Sequence, residues 1–257
     1  MIRAENISFA VQNHTILSDI SLKIAKGQFV VLIGPNGSGK SSLLRCLSGW
    51  HQPQKGSVTL HNTAISKIAP HIRAQHLAWL PQRLHLSEPI LVQEWIASAR
   101  FRFQENITTR IEKSKEVLCN LGIEHLAEKY WNTLSGGEAQ RVALAAMKAQ
   151  ESEIWLLDEP ANHLDPAVQK KVYRFLVQEW QQNTGMVLVT HNINLLLAAV
   201  PIEKYSNVIV IGLQKGKQVC SISLDDEELP KALSEIYDLP VEKTTVFGHP
   251  YIVFGER

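Results

Sequence analysis

The sequence predicts an α/β fold: a mostly parallel sheet, an antiparallel β edge sheet and an inserted α-helical subdomain. Three observations carry this. Apolar runs at 29–33, 154–157 and 186–190 are uninterrupted, as strands covered on both faces must be. Helical periodicity fills the intervals between them, the alternation that builds parallel sheets. Near the N-terminus, residues 2–9 and 20–24 instead alternate polar and apolar, the pattern of strands with one wet face.

Taken in order, the run 29–33 ends at Gly34-Pro35, so a buried strand feeds a glycine loop. Residues 40–48 read as a helix with Leu43, Leu44 and Leu47 on one face. Strands follow at 57–60 and 76–80. From Pro89 to about Gln150 the pattern is helical and interrupts two sheet segments. Residues 88–150 are therefore assigned to the inserted subdomain, and 1–87 with 151–257 to the core and its C-terminal tail. Beyond strand 154–157 lie a helix at 166–181 and strand 186–190. A late strand pair falls at 208–211 and 218–222. A helix at 229–237 carries Pro230 in its first turn, where a missing N–H costs nothing. The acidic run 225–228 reads as its solvated start, opposing the positive end of the helix dipole. Residues 246–248 and 251–254 are expected to form a terminal hairpin.

The 257 residues suffice for one large domain with a small insertion, and 45% of them are apolar. A net charge of +1 excludes whole-chain attraction to nucleic acid or to anionic membranes. Cys46, Cys119 and Cys220 are too far apart for a disulfide framework or a metal spacing, and are read as buried or half-buried thiols. Met1-Ile2-Arg3-Ala4-Glu5-Asn6 has no apolar core of a signal peptide. No apolar run reaches the ~18 residues of a membrane span. The longest candidate, 186–201, is broken by His191, Asn192 and Asn194. A soluble, cytoplasmic chain is expected, with any membrane-crossing part supplied by another chain.

Two motifs carry chemistry. Gly34-Pro35-Asn36-Gly37-Ser38-Gly39-Lys40-Ser41 fits G-x-x-x-x-G-K-[ST] after a buried strand and before a helix. The glycines let successive N–H groups turn inward as an anion nest, and the helix adds its positive end. Lys40 would reach the β- and γ-phosphates. The Ser41 hydroxyl would ligate Mg²⁺. This makes the core a phosphate-loop NTPase. The second motif is the strand end Asp158-Glu159-Pro160. Asp158 can hold Mg²⁺ directly or through water, and Glu159 can polarise a water for in-line attack.

Between these motifs lies Leu134-Ser135-Gly136-Gly137-Glu138-Ala139-Gln140. With the phosphate loop and the acidic strand end, this run resembles the ATP-binding cassette (ABC) family, over roughly residues 2–213. A serine and two glycines at a helix start offer a hydroxyl and free N–H groups together. The resemblance implies that two cassettes sandwich two ATP molecules head to tail. Ser135 and Gly137, with Gly136 and Glu138, would then reach the γ-phosphate bound to the partner's loop, where Ser42 joins residues 34–41. It further implies that Gln82 senses Mg²⁺ and links core to helices, that His191 is the switch histidine on the γ-phosphate, and that Asp165 lies in the loop crossing the dimer interface. Gln82 thus joins Ser41 and Asp158 in the expected metal set, and Glu159 and His191 in the expected catalytic set. Two departures stand out. Ala161 replaces a frequent hydroxyl residue, and Val11 stands where the family stacks an aromatic residue on adenine. Phe9, two residues earlier, reads as strand core, and His14 is the other candidate for the base. ATP over GTP is the expected preference.

Within the family, Leu77-Ala78-Trp79-Leu80-Pro81-Gln82, Ile90-Leu91-Val92-Gln93-Glu94 and Arg100-Phe101 look like ATPases of importers for iron-siderophore, haem and cobalamin chelates. The Asn162-His163 pair and the short tail, with Tyr237-Asp238-Leu239-Pro240-Val241 and Gly248-His249-Pro250, fit the same group. That resemblance implies a second ATPase subunit, transmembrane permease subunits and, through them, an extracytoplasmic substrate-binding protein, with the chain at the cytoplasmic face of the plasma membrane. Trp95, Phe101 and Phe103 are candidate contacts for a short helix of the permease, or else packing within the helical block. Rival readings are a non-transport ABC ATPase, a cassette of another importer or an exporter, and a small-molecule kinase or GTPase. The 134–140 run and the lack of Asn-Lys-x-Asp argue against the last. One cassette without a heptad run argues against the first, and no nucleic-acid partner is expected.

Overall fold

The structure, a computed structural model, describes residues 1–82 and 88–256. The expected subdomain boundary at 87 and residues 83–87 of the subtype segment lie outside the described residues. The chain opens with a hairpin of β1 (Ile2–Val11) and β2 (His14–Ile24). Its turn is Gln12-Asn13, both with positive φ (47° and 67°), the backbone of a type I′ hairpin turn. β3 (Phe29–Ile33) and α1 (Lys40–Leu47) follow, then β4 (Lys55–Leu60), β5 (Thr63–Ala64), α2 (Pro70–His76) and β6 (Leu77–Leu80). The helical block holds α3 (Val92–Ser98), α4 (Ile107–Asn120) and α5 (Gly136–Gln150). β7 (Ile154–Asp158), α6 (Pro166–Gln181), β8 (Gly185–Val189) and α7 (Ile193–Ala199) return to the core. β9 (Val208–Gln214), β10 (Lys217–Ser223), α8 (Leu229–Tyr237), β11 (Val241–Val246) and β12 (His249–Phe254) complete the chain.

The central sheet has the order β10-β9-β3-β8-β7-β6, parallel except for β10 against β9. An antiparallel sheet, β2-β1-β4-β5, forms the edge layer. The uninterrupted apolar strands now have their cause. In β3, Phe29, Val31 and Ile33 enter one core, with α5, α6 and α7. Val30 and Leu32 enter the other, with α1 and the edge sheet. β7 and β8 divide their side chains in the same way. With both faces covered, no position is left for a polar residue until the strand ends.

Several expectations are corrected. Residues 10–11 and 14–19 extend the N-terminal strands, because their alternation is broken by register shifts between β1 and β2. α2 went unpredicted: it buries none of its residues completely and so carries no apolar period. The first strand of the terminal hairpin is β11, not 246–248. Its Val-Glu-Lys-Thr-Thr-Val sequence is mostly exposed, and Phe247-Gly248 is the turn. Cys119 is exposed rather than buried or half-buried. Phe9 is strand core as expected, stacked on His51 with ring centroids 4.8 Å apart.

The helical block is pinned by Arg100, 2% exposed. Its guanidinium donates to both Glu105 oxygens at 2.7 Å, to Glu151 at 2.7 Å and to the Ala149 carbonyl at 2.9 Å. It also lies 4.1 Å from the Phe103 ring centre. Arg100→Ala is expected to lower unfolding free energy by about 3 kcal/mol, the low end for a broken buried pair because Glu151 keeps water. The hydrogen bond from Arg100, then that from Lys113, holds Glu105 down at about 2. A depressed carboxylate stabilises above its unfolded value and loses that contribution as pH falls. The wild-type advantage over Arg100→Ala in urea melts therefore shrinks from pH 4.5 toward about 2.

Candidate active site

β3 delivers the loop at 34–41 directly from the buried sheet. Two of its glycines are required by close approach. A Cβ on Gly34 (φ 146°) would sit 2.1 Å from the Leu213 carbonyl oxygen. One on Gly39 (φ 101°) would sit 2.7 Å from Leu17 Cδ2 and 2.8 Å from the Ile16 oxygen. Strand β2 therefore runs against the loop, and the hairpin end with Val11 and His14 projects from that side. Lys40, 6% exposed, folds back over the loop and donates to the carbonyls of Gly34 (2.8 Å) and Pro35 (3.0 Å). Burial lowers its pKa, opposed by the charges of Glu159 and Asp158. A phosphate would offer this ammonium charged acceptors in place of neutral carbonyls. Asn36 and Gly37 are exposed at the loop tip, Ser41 and Ser42 half-buried on α1, and the Ser38 hydroxyl is buried without a partner.

Beside the loop, β7 ends in two unlike carboxylates. Asp158 is 3% exposed, and its Oδ1 has no hydrogen-bond partner. Burial raises its pKa, resisted by a Ser41 hydrogen bond and by Arg45 and Lys40, and the Glu159 charge adds to the rise. A buried carboxylate oxygen without a partner, next to a hydroxyl, suits a hard cation. Ser41 and Asp158 therefore fit Mg²⁺, and the glycine nest with Lys40 fits a polyphosphate.

Glu159 has φ 53°, a strained value for a residue with a Cβ and the kind of strain that collects at working sites. Its N–H is held by the Val189 carbonyl at 3.1 Å. Three side chains converge on its carboxylate: His191 Nε2 at 2.8 Å from Oε1, with Gln82 Nε2 at 2.9 Å and Asn162 Nδ2 at 2.7 Å from Oε2. The His191 loop is itself fixed by Thr190, whose hydroxyl accepts the Asn192 N–H at 3.0 Å and meets the Tyr173 hydroxyl at 2.5 Å.

The 134–140 run forms the start of α5. Ser135 is the N-cap, and it closes a reciprocal box with Glu138: the Glu138 N–H donates to the Ser135 hydroxyl at 3.3 Å, and Glu138 Oε2 accepts the Ser135 N–H at 2.8 Å. Ser135 and Gly136 are exposed. Among the described residues, no hydrogen bond or ion pair joins 135–138 to 34–42. This end of α5 instead touches the segment after Glu159. Gln140 donates to the Pro160 carbonyl at 3.0 Å, and a Cβ on Gly137 would sit 3.2 Å from Leu164.

The ABC transporter family profile matches residues 17–162, more than half of the chain. The chain belongs to the ABC transporter family. It is 33% identical to the hemin import ATP-binding protein HmuV of Hydrogenovibrio crunogenus, covering 97% of this chain and 96% of that one. It is 34% identical to HmuV of Escherichia coli O157:H7, over 98% and 99%. A dimeric structure of a bacterial ABC transporter cassette superposes with a TM-score of 0.78 at 26% identity, covering 88% of this chain and all of that one. The chain is an ABC ATPase, and no helix among its described residues is long and apolar enough to cross a membrane.

In this ABC cassette the expected residues fall into two groups. Gly34 to Ser42, Asp158, Glu159, Gln82 and His191 gather around one loop and one strand end. Ser135 to Glu138 stand apart from that loop. Asp165 sits at the start of α6, which its Oδ1 caps through the N–H groups of Ala167 and Val168, both at 3.0 Å. Val11 is 48% exposed at the hairpin end. Ala161 is buried and leaves no hydroxyl there. Trp95 packs on Trp131 with ring centroids 4.3 Å apart, Phe103 lies under Arg100 and Arg102, and Phe101 is exposed. Of the three, Phe101 is the exposed one, and Trp95 and Phe103 are half-buried.

Two contributors had not been predicted. Asn162 holds Glu159 from three residues on, across a turn, whereas the sequence had marked it only as part of the Asn162-His163 pair. Tyr237 accepts the Gly34 N–H on its hydroxyl at 3.2 Å, tying the C-terminal helix to the phosphate loop from a distance of 203 residues. Asn162→Ala should cut kcat for ATP about tenfold, by loosening the carboxylate, with KM little changed; steady-state kinetics beside wild type checks this.

Proposed function

We propose that the chain is the ATP-hydrolysing subunit of an importer, working as a head-to-tail pair beneath separate permease subunits. The observation that carries this is the convergence of Gln82, Asn162 and His191 on Glu159 beside a phosphate loop. The loop N–H groups and Lys40 bind the β- and γ-phosphoryl oxygens of ATP. Ser41, Asp158 and Gln82 would hold Mg²⁺, which would offset the negative charge of the phosphates. Glu159 takes the proton of the attacking water and orients it in line. Gln82 and Asn162 fix one carboxylate oxygen so that the other faces the water. His191 leaves Glu159 to donate to the γ-phosphate. Ser135, Gly136, Gly137 and Glu138 of the second chain close the site with a hydroxyl, free N–H groups and a helix start. Asp165 lies where the two chains meet.

ATP acts on the permease only through its different affinity for open and closed pairs. Residues 88–150 form the unit that moves against the core, with Gln82 at the joint and Phe101 on the permease side. The cassette sits peripherally at the cytoplasmic face of the plasma membrane. The cargo is a metal chelate of the haem, iron-siderophore or cobalamin type, presented by an extracytoplasmic binding protein. What supports the cargo class is the full-length likeness to the two hemin import proteins. The test is ATP turnover of the complete transporter in liposomes. Stimulation by binding protein loaded with haem or a related chelate is expected. Stimulation only by an unrelated solute would overturn the cargo class.

A further inference from the structure

Far from the nucleotide residues, three side chains from separate elements meet at one point: His61, His76 and Glu153. His61 lies in the turn between β4 and β5, His76 is the last residue of α2, and Glu153 directly precedes β7. His61 Nε2 is 3.0 Å from Glu153 Oε2, and His76 Nδ1 is 3.0 Å from Oε1. The imidazole centroids are 4.7 Å apart, and the facing atoms of all three residues lie within 4.8 Å of one another. We propose that His61, His76 and Glu153 form a binding site for a d-block divalent cation, of which Zn²⁺ is the type.

The donor set selects the ion. Two imidazoles and one carboxylate suit Zn²⁺, Ni²⁺ or Cu²⁺ and disfavour Mg²⁺ and Ca²⁺, which take oxygen. Three protein ligands with a fourth position left to water is a common zinc arrangement. Zn–N and Zn–O bonds of ~2.0–2.2 Å put tetrahedral donors about 3.3 Å apart, so the three residues need to shift by about 1 Å at most. The site is open: the side chains are 46%, 34% and 32% exposed in the order His61, His76, Glu153, so an ion has a path in. Burial works to raise Glu153, but the His76 hydrogen bond and the charges of His61, His76 and the N-terminal amine outweigh it, and its pKa is lowered; the Met1 amine lies 3.3 Å from His61 Nε2 and has to give way to an ion there. It is thus ready as an anionic ligand. An ion is held by neutral imidazole, through the nitrogen of each ring that faces Glu153.

The turn does not itself require the histidine. His61 and Asn62 both have positive φ (51° and 64°), which asparagine or glycine would adopt with less strain. The bound ion would clamp three layers of the cassette: the edge sheet through His61, α2 through His76, and the α5–β7 junction through Glu153. That junction already holds the α2–β6 segment, since Gln150 donates to the carbonyls of Ala74 at 2.5 Å and Leu77 at 3.1 Å. β7 runs from Glu153 to the two carboxylates at its far end, about 15 Å away at strand rise. The ion therefore holds the frame and does not touch the phosphates.

Purified full-length chain, stripped of metal, is titrated with Zn²⁺ against a chromophoric chelator, beside His61→Gln, His76→Gln, the double variant and His191→Ala. One strong equivalent is expected for wild type and for His191→Ala, with each His→Gln change weakening it tenfold or more. The expected thermal signature is a Zn²⁺-dependent rise in Tm that the double variant lacks, while its ATP turnover stays at the wild-type rate. Co²⁺ in place of Zn²⁺ should give the intense visible absorption of a four-coordinate site only when both histidines are present. The proposal is overturned if wild type takes up no Zn²⁺, or if the double variant binds as tightly as wild type. Loss in His191→Ala alone would place the ion at the nucleotide site and overturn it equally.

Discussion

Glu159→Gln keeps ATP binding and cuts turnover by about 10²–10⁴-fold, the range for removing a general base. The structure makes the expectation specific. The amide replaces a carboxylate of the same shape, so the contacts with Gln82 and Asn162 and the strained backbone at φ 53° can persist. What is lost is the ability to take a proton. The side chain also loses the charge that opposes the phosphates, so the bound state is held longer. Single-turnover hydrolysis with ATP prebound isolates the chemical step. Turnover within threefold of wild type would remove Glu159 from its assigned role.

Lys40→Ala is expected to weaken ATP about 100-fold, as for removal of a charged hydrogen-bond donor from a phosphate clamp. The apo chain should tolerate the change. Its ammonium is buried on two neutral carbonyls, and burial has already lowered its pKa, so deleting it also removes a desolvation cost. Equilibrium binding of a fluorescent ATP analogue, with urea melts of both proteins, separates the two effects. A fold destabilised as strongly as binding would show that the lysine serves the loop itself rather than the nucleotide.

Much of this was legible in the sequence because buried structure leaves strong local marks. A strand covered on both faces has to be apolar throughout, so 29–33, 154–157 and 186–190 fell within a residue or two of β3, β7 and β8. The phosphate loop fixes its own conformation through Gly34 and Gly39. The helix read at 166–181 coincides with α6. What escaped carries no such mark. α2 buries nothing completely, and β11 is charged and mostly exposed, so neither shows a period. The Tyr237 bond to Gly34 and the meeting of His61, His76 and Glu153 depend on tertiary approach between distant segments, and no window of sequence contains them. The roles given to Gln82, His191 and Asp165 came from resemblance. The structure puts the first two on Glu159, whereas Asp165 is engaged as a helix cap.

The proposed function turns on completion of the site in trans, by residues 135–138 of a second chain. The measurement that tests it most directly is the solution mass of Glu159→Gln at saturating Mg·ATP, beside Mg·ADP and no nucleotide, and beside the same chain carrying Ser135→Arg. Twice the 28.9 kDa chain mass with ATP only, returning to one chain with Ser135→Arg, is the predicted result. A chain that stays at 28.9 kDa with ATP fully bound, or a dimer indifferent to Ser135→Arg, would contradict it.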